Sequence, residues 1–191
     1  EQMSEMMVGR KVSFSVEKGE QHPGEPALCV KNLFVAGRAK HKDAVRNVSF
    51  TVNRGEIVCI AGIDGNGQSE LIYALSGLAP AKSGAIELDG KDITTAAIRK
   101  RNDLGMSHIP EDRHRDGLVL DYNLAENLVL KRYHTREFKH GGFLRFKKIY
   151  SYAKDLIEKY DIRSGQGAYT PARSMSGGNQ QKAIDRAGVY A

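Results

Sequence analysis

Residues 62–69 combine glycines, polar side chains and a hydroxyl group at a spacing that suits phosphate binding. They lie between an apolar run and a stretch with helical periodicity. Glycines let several backbone N–H groups point toward one anion, and the N-terminus of the following helix adds partial positive charge. The spacing matches the phosphate-binding pattern G-x-x-x-x-G-K-[ST], except that Gln68 stands where the pattern has lysine. The alternative is a glycine-rich strand-to-helix turn that holds no ligand.

The glutamine at position 68 changes what this loop can do. Its amide can donate a hydrogen bond to a phosphate oxygen but carries no charge. A hydrogen bond with a charged partner contributes about 1.5–3 kcal/mol, against about 1 kcal/mol for a neutral one, so the missing lysine costs on the order of tenfold in affinity. The fixed charge that would stabilise a transferring γ-phosphoryl group is also lost. We expect nucleotide binding without efficient hydrolysis, and Ser69 remains free to coordinate Mg²⁺.

A second loop with phosphate-binding character begins at Ser176 and continues through Gly177 and Gly178, with Gln180 close behind. A serine hydroxyl and glycine N–H groups again precede an expected helix, whose N-terminus favours an anion. A lone Ser-Gly-Gly is most often a plain turn. On these residues alone, the loop is weak evidence for a ligand.

The elements that must position these loops follow from hydrophobic periodicity. The apolar run 57–61 predicts a central strand buried on both faces, and residues 53–56 predict a tight turn before it. Short runs with strand spacing and longer stretches with helical spacing surround it. The further predicted strands are 28–30, 48–52, 85–88 and 106–110, and the predicted helices are 69–78, 121–131 and 149–160.

The composition excludes several classes of protein. Of the 191 residues, 40% are hydrophobic and 27% are charged, which is ordinary globular composition. No apolar run approaches the roughly 18 residues of a membrane span, and we expect no secretory signal. Cys29 and Cys59 both lie in apolar runs, which predicts reduced core residues rather than a disulfide or metal site. The net charge of +6 suits nucleic acid, anionic lipid or a polyanionic ligand alike.

The two loops in this order resemble the Walker A loop and the S-G-G-Q-type signature of ATP-binding cassette (ABC) proteins. Residues 5–10 look like the linker that joins two cassettes in tandem importer ATPases for sugars and nucleosides. Residues 110–120 resemble the segment at the Q-loop place of the second cassette. Residues 65–71 are most similar to the second cassette of the nucleoside branch, which also lacks the lysine.

This resemblance implies an α/β fold, a P-loop NTPase cassette core with a strand-rich N-terminal part and an inserted helical subdomain. It divides the chain into an inter-cassette linker (1–26), a nucleotide-binding core (27–120), a helical subdomain with the signature (121–182) and a tail (183–191). We expect that tail to be truncated or discontinuous, because the family's acidic Walker B strand and switch histidine do not follow. No catalytic residue is therefore assigned, and the chain alone should lack appreciable ATPase activity.

The resemblance also implies ATP and Mg²⁺ as ligands. Ser69 and Glu111 would coordinate the metal, although Glu111 reads equally well as a solvated acid. Phe34 is the nearest candidate for stacking on adenine but more often would be a core residue, and His108 and His114 are expected to be structural or exposed. The expected nucleotide-binding residues are Gly62, Ile63, Asp64, Gly65, Asn66, Gly67, Gln68, Ser69, Glu70, Ser176, Gly177, Gly178 and Gln180.

The partners implied are the first cassette of the same protein, membrane permease subunits and a substrate-binding protein. The implied location is the cytoplasmic face of the membrane. The basic, aromatic segment 131–146 lies where members of the family dock onto their permease. The alternative for this segment is a basic face exposed to solvent. Two other functions stay open. One is an ABC-type protein acting on nucleic acid or ribosomes, for which no base-stacking platform is found. The other is a regulatory nucleotide-binding module that does not hydrolyse ATP.

Overall fold

In this computed structural model, the described residues are 19–20, 22–37 and 42–188. The chain begins with two long strands, β1 (Pro26–Ala36) and β2 (Asp43–Asn53), followed by helix α1 (Gln68–Ser76). Strands β3 (Ser83–Leu88) and β4 (Lys91–Asp92) complete an antiparallel sheet in the order β2-β1-β3-β4. Of the expected linker (1–26), residues 1–18 and 21 lie outside the described residues.

The second half is mainly helical. Its helices are α2 (Ile98–Asp103), α3 (Leu124–Val129), α4 (Phe146–Lys159) and α5 (Gly177–Gly188). Between them lie a π-helical turn (Arg113–Gly117), the two-residue strands β5 (Lys139–His140) and β6 (Phe143–Leu144), and 3₁₀ turns at Gly167–Tyr169 and Ala172–Ser174. In the described part of the chain, no helix is long and apolar enough to cross a bilayer.

The first core lies between the antiparallel sheet and α1. Val30 pairs with Phe50 of β2 and with Ile86 of β3, which fixes the register across three strands. The buried side chains of this core are Val30, Leu33, Val35, Val45, Leu71, Ala74, Leu75, Ile86 and Ile93. The predicted strands 28–30, 48–52 and 85–88 are confirmed, and so is the predicted helix that follows the first loop.

Arg101 fixes α1 to α2 although it is a buried charge, only 2% exposed. Its guanidinium donates to the carbonyls of Ala74 and Leu75 at the end of α1, and to those of Thr94 and Ala96. The last carbonyls of a helix have no partner within the helix, so this side chain satisfies groups that burial would otherwise leave unpaired. Burial lowers the pKa of Arg101 from its usual value.

The second core joins α3, α4 and α5. Its members are Leu124, Ala125, Leu128, Val129, Phe138, Ile149, Ala153, Leu156, Ile162, Met175 and Ala183. The helix predicted over 149–160 is observed slightly earlier, and the one predicted over 121–131 is shorter. Asn123 starts α3 with a capping box: its side chain accepts from the N–H of Glu126, and the Glu126 carboxylate accepts from the N–H of Asn123.

Two strand predictions are wrong. Residues 57–61 and 106–110 have no regular secondary structure and form no ladder with any strand in the described ranges. Ile57 is 86% exposed, and Cys59 is exposed too, so the prediction that both cysteines are core residues holds only for half-buried Cys29. An apolar run becomes a buried strand only when neighbours satisfy its backbone groups and cover its faces, and the described residues supply none here.

Candidate nucleotide-binding site

The first loop leads into α1 with a backbone that only glycine adopts easily. Gly65 has φ 83° and Gly67 has φ 94°, both in the left-handed region. Gly67 is also the N-cap of α1, and the N–H of Leu71 donates to its carbonyl at 2.9 Å. A Cβ on Gly67 would lie 2.4 Å from the carbonyl oxygen of Ala44 in β2. The loop is therefore pressed against the start of β2, and position 67 has no room for a side chain.

Gln68 folds back over its own loop. Its Nε2 donates to the carbonyl of Ile63 at 3.2 Å. The same nitrogen lies 2.1 Å from the position that a Cβ on Gly62 would occupy, so the absence of a side chain at Gly62 makes room for this amide. A side chain at position 68 thus reaches the inner side of the loop, where a lysine would bring its charge.

An open cavity of about 550 Å³ lies between this loop and β2. The loop contributes Asp64, Gly65, Asn66, Gly67, Gln68, Ser69 and Glu70 to its lining. Lys42 and Arg46 line the cavity from the other side, and the sequence analysis did not identify either one. Ala44 and Arg46 are alternate residues of β2 and share a face, and Lys42 directly precedes the strand. Lys42 and Arg46 can be recognised as cavity residues only from the structure, in which β2 packs against the loop.

The two residues proposed to hold a metal line the same cavity. Ser69 and Glu111 line one cavity of about 490 Å³, although they are far apart in the sequence. Mg²⁺ prefers oxygen ligands and usually takes one or two from the protein, with phosphate and water completing its shell. A hydroxyl and a carboxylate in one cavity beside a phosphate-type loop fit that requirement. Among the described residues, no cluster of three or more His, Cys, Asp or Glu side chains could hold a metal without such help.

The segment that carries Glu111 turns sharply because of Asp112. Its carboxylate accepts from the N–H groups of His114 at 3.0 Å and Arg115 at 3.1 Å. These backbone hydrogen bonds lower the pKa of Asp112 below its usual value, since they favour the charged form. The turn brings His114 to the second loop, where its Nε2 lies 2.9 Å from Oε1 of Gln180.

The second loop presents Ser176 and Gly178 at the surface, with Gly177 half-buried. The side-chain amide of Asn179 donates to Oγ of Ser176 at 2.9 Å and so holds that hydroxyl in place. Gln180 does not share this surface: it is 4% exposed, and its Nε2 donates to the carbonyl of Ala172. Asn179, absent from the predicted site, stands beside Ser176 instead.

The two loops do not form one site within this chain. Ser176 and Asn179 line a cavity of about 600 Å³ that shares no lining residue with the cavity at Gly67. Phe34 is half-buried on β1 and lines neither cavity. Two loops of phosphate-binding type whose cavities share no lining residue can serve two different ligands.

A family model described as ABC transporter matches residues 45–187, which is more than half of the chain. The chain belongs to the ABC transporter family. The match includes both loops and the segment of Glu111, so the expected α/β cassette fold is confirmed. ATP is the nucleotide that the cassettes of this family bind.

Several curated relatives of this chain are ATP-binding proteins of import systems. It is 46% identical over 184 residues to the nucleoside import ATP-binding protein NupA of Lactococcus lactis, covering 96% of this chain and 36% of that protein. It is 45% identical to the guanosine import ATP-binding protein NupO of Bacillus subtilis, with the same shares covered. A glucose import ATP-binding protein of Haloferax volcanii is 39% identical, covering 95% and 33%. The chain thus spans about a third of the length of these relatives.

Solved structures support the cassette fold. A nucleotide-free ATP-binding cassette from an ABC transporter superposes with a TM-score of 0.64 at 20% identity, covering 85% of this chain and 64% of that one. A bacterial Atm1-family ABC exporter with ATP bound superposes with a TM-score of 0.55 at 21% identity, covering 97% and 32%. At such identities the likeness establishes the fold alone.

Proposed function

We propose that this chain is the second cassette of a tandem ATPase that powers nucleoside uptake. The observation that carries the proposal is the separation of its two phosphate-type loops, because a cassette that works in a pair offers each loop to a different nucleotide. Identities of 46% and 45% to two proteins named for nucleoside and guanosine import, against 39% to one named for glucose import, favour a nucleoside as the cargo.

The first loop would bind the phosphates of ATP through its backbone N–H groups and through the Gln68 amide. Ser69 and Glu111, which share a cavity, would hold Mg²⁺. Bound magnesium would neutralise charge on the β- and γ-phosphates. Lys42 and Arg46 bring two positive charges to the cavity between this loop and β2, beside the carboxylates of Asp43, Asp64 and Glu70.

The second loop would face an ATP molecule held by the first cassette. Ser176 and the backbone N–H groups of Gly177 and Gly178 are placed to donate to its γ-phosphate. The side chain of Gln180 is hydrogen-bonded to the carbonyl of Ala172 and to His114, so it would hold the loop against the segment of Glu111 rather than contact the nucleotide. The remaining partners would be permease subunits and a substrate-binding protein, with the chain on the cytoplasmic face of the membrane.

Gln68 also favours a narrower function for the first loop itself: binding ATP without hydrolysing it. A neutral amide supplies no fixed charge for the γ-phosphoryl group in the transition state. ATP turnover by the intact tandem protein, measured after the Walker A lysine of its first cassette is removed, distinguishes a catalytic loop from one that only binds ATP. Full residual turnover would mean that the loop at 62–69 is catalytic, and its loss would mean that this loop only binds. A function on nucleic acid gains no support from the relatives.

An uptake assay tests the proposed cargo. Cells that carry the intact importer, with this cassette in place, should accumulate labelled guanosine, and excess unlabelled nucleoside should compete while ribose should not. A matched strain with Ser176→Arg in this cassette serves as the transport-negative control. Uptake of ribose or glucose with indifference to nucleosides would contradict the proposal.

A further inference from the structure

Residues 139–148, here named the basic hairpin, form an exposed projection from the helical half of the molecule. They comprise β5, the turn at Gly141 and Gly142, β6 and the start of α4. Every residue of the basic hairpin is exposed. Phe143 is 81% exposed, Phe146 53% and Leu144 40%. Large apolar side chains grouped in this way mark a surface that has a partner.

The basic hairpin is held rigidly despite its exposure. Phe138, which precedes it, is fully buried and packs against Tyr152 with ring centroids 5.1 Å apart. The N–H of Arg145 donates to the carbonyl of Phe138 at 2.8 Å, which closes the base of the hairpin. Gly141 and Gly142 have φ values of 54° and 91°, as a tight two-residue turn between antiparallel strands requires. The exposed rings are therefore presented by a fixed scaffold.

The charges of the basic hairpin have one sign. It contains Lys139, Arg145, Lys147 and Lys148 and no acidic residue, in a chain whose net charge is +6. Within the described residues, no carboxylate lies within ion-pair distance of these four cations. A surface of this kind complements an anionic one.

Two of these cations oppose the stability of their own helix. Lys147 and Lys148 lie in the first turn of α4, which contains no acidic residue. The N-terminus of a helix carries partial positive charge, so lysines there are unfavourable, whereas α3 has Glu126 in its first turn. Folding of the chain does not explain this placement, and an external anion would.

We propose that the basic hairpin binds the anionic lipid surface of the membrane, with its cations at the headgroups and Phe143 and Phe146 in the interfacial layer. Neighbouring strand residues point to opposite faces, so Phe143 and Leu144 offer no single flat face to a groove on another protein. A hairpin tip inserted among lipids is surrounded by them on both faces. Cations and aromatic rings together suit the boundary between the lipid headgroups and the acyl chains. The inference rests on the proposed place of the chain at the membrane.

The absence of tryptophan from the chain gives a direct test. Phe143→Trp places a single indole at the tip, and its emission should shift to the blue with vesicles of phosphatidylglycerol and phosphatidylcholine. The shift should be much weaker with pure phosphatidylcholine and should fall at high salt. Ile57→Trp is the control, because Ile57 is 86% exposed and lies outside the basic hairpin, next to Glu56, and it should show no shift.

Charge variants test the headgroup contacts. Arg145→Gln with Lys147→Gln should weaken binding to the anionic vesicles roughly 25-fold, at about fivefold for each cation. Lys91→Gln with Lys100→Gln removes the same charge from other exposed positions and should change binding less than threefold. All four side chains are exposed, so folding should be unaffected, and circular dichroism checks this.

No shift of the Phe143→Trp emission with anionic vesicles would overturn the proposal, as would an equal shift with neutral vesicles. Sedimentation with neutral vesicles that contain the permease, but not with protein-free anionic vesicles, would assign the basic hairpin to the permease instead. The vesicle experiments contain no nucleotide. Their failure would therefore leave the proposed ATP site untouched, and failure of ATP binding would leave the vesicle result standing.

Discussion

Gln68 gives its loop a neutral hydrogen-bond donor where a lysine would bring charge. The amide donates to the carbonyl of Ile63 and occupies the space left by the missing side chain of Gly62. A phosphate entering the loop would meet backbone N–H groups and this amide. The backbone of the loop thus supports binding of a phosphate, whereas hydrolysis needs a charge that this loop lacks.

Gln68→Lys should strengthen ATP binding by about tenfold, because a charged donor replaces a neutral one on the inner side of the loop. Isothermal titration of the purified chain measures the affinity. Thr95→Lys adds the same charge at an exposed position away from the loop and should leave the affinity unchanged. Equal affinities for the native chain and Gln68→Lys would mean that this side chain does not face the phosphate.

Gly67→Ala should destabilise the chain more than Gly65→Ala. Both residues have positive φ, so each alanine costs about 1–2 kcal/mol in the left-handed region. Only at Gly67 does the new Cβ meet another atom, the Ala44 oxygen at 2.4 Å, whereas nothing lies within 4 Å at Gly65. Urea unfolding of the two variants isolates that contact. Equal losses of unfolding free energy would show that the loop does not rest on β2.

At the scale of elements, the contacts around residues 106–117 connect the first half of the chain to the second. His114 reaches Gln180 of α5, and the amine of Lys131 donates to the carbonyl of His108 at 3.0 Å. Burial lowers the pKa of Lys131. Burial, and then the nearby charge of Lys131, lower the pKa of His108, against the opposing effect of Asp116.

The lowered pKa of His108 predicts a loss of stability in mild acid. The unfolded chain takes up a proton near the ordinary histidine value of 6.5, and the folded chain does so only at lower pH. The free energy of unfolding should therefore fall as the pH drops from 7 toward 5.5. His108→Gln should reduce this slope, and His140→Gln, at an exposed histidine, should not. Identical slopes for all three proteins in urea titrations would remove His108 as the cause.

The sequence predicts an element correctly when the segments that pack against it lie nearby in the chain and are present in the structure. The helix after the first loop, the long helix near residue 150 and the strands of the antiparallel sheet were correctly predicted, since their patterns are local and their neighbours are present. The strand at 57–61 was not, because burial on both faces depends on distant segments. Lys42 and Arg46 were missed for the same reason: their closeness to the loop is set by strand pairing.

At the scale of the whole molecule, the antiparallel sheet with α1 carries the first loop and the helices carry the second. The cavities at these loops share no lining residue, while His114 and Gln180 join the segment of Glu111 to the second loop. That arrangement fits a cassette that holds one nucleotide and completes the site of another. The positive charge of the basic hairpin gives the same molecule a surface for the membrane.

If the two loops serve different nucleotide sites, Ser176→Arg and Gln68→Ala should have very different effects. ATP turnover and nucleoside uptake are measured side by side in the intact tandem protein with its permease, with Ser151→Arg, at an exposed serine of α4, as the matched control. Ser176→Arg should abolish both activities, because the new side chain stands where the γ-phosphate of the first cassette's ATP must dock. Gln68→Ala should cost far less, since it removes a neutral hydrogen bond worth about 1 kcal/mol. Equal damage from both variants, or a silent Ser176→Arg, would contradict the account.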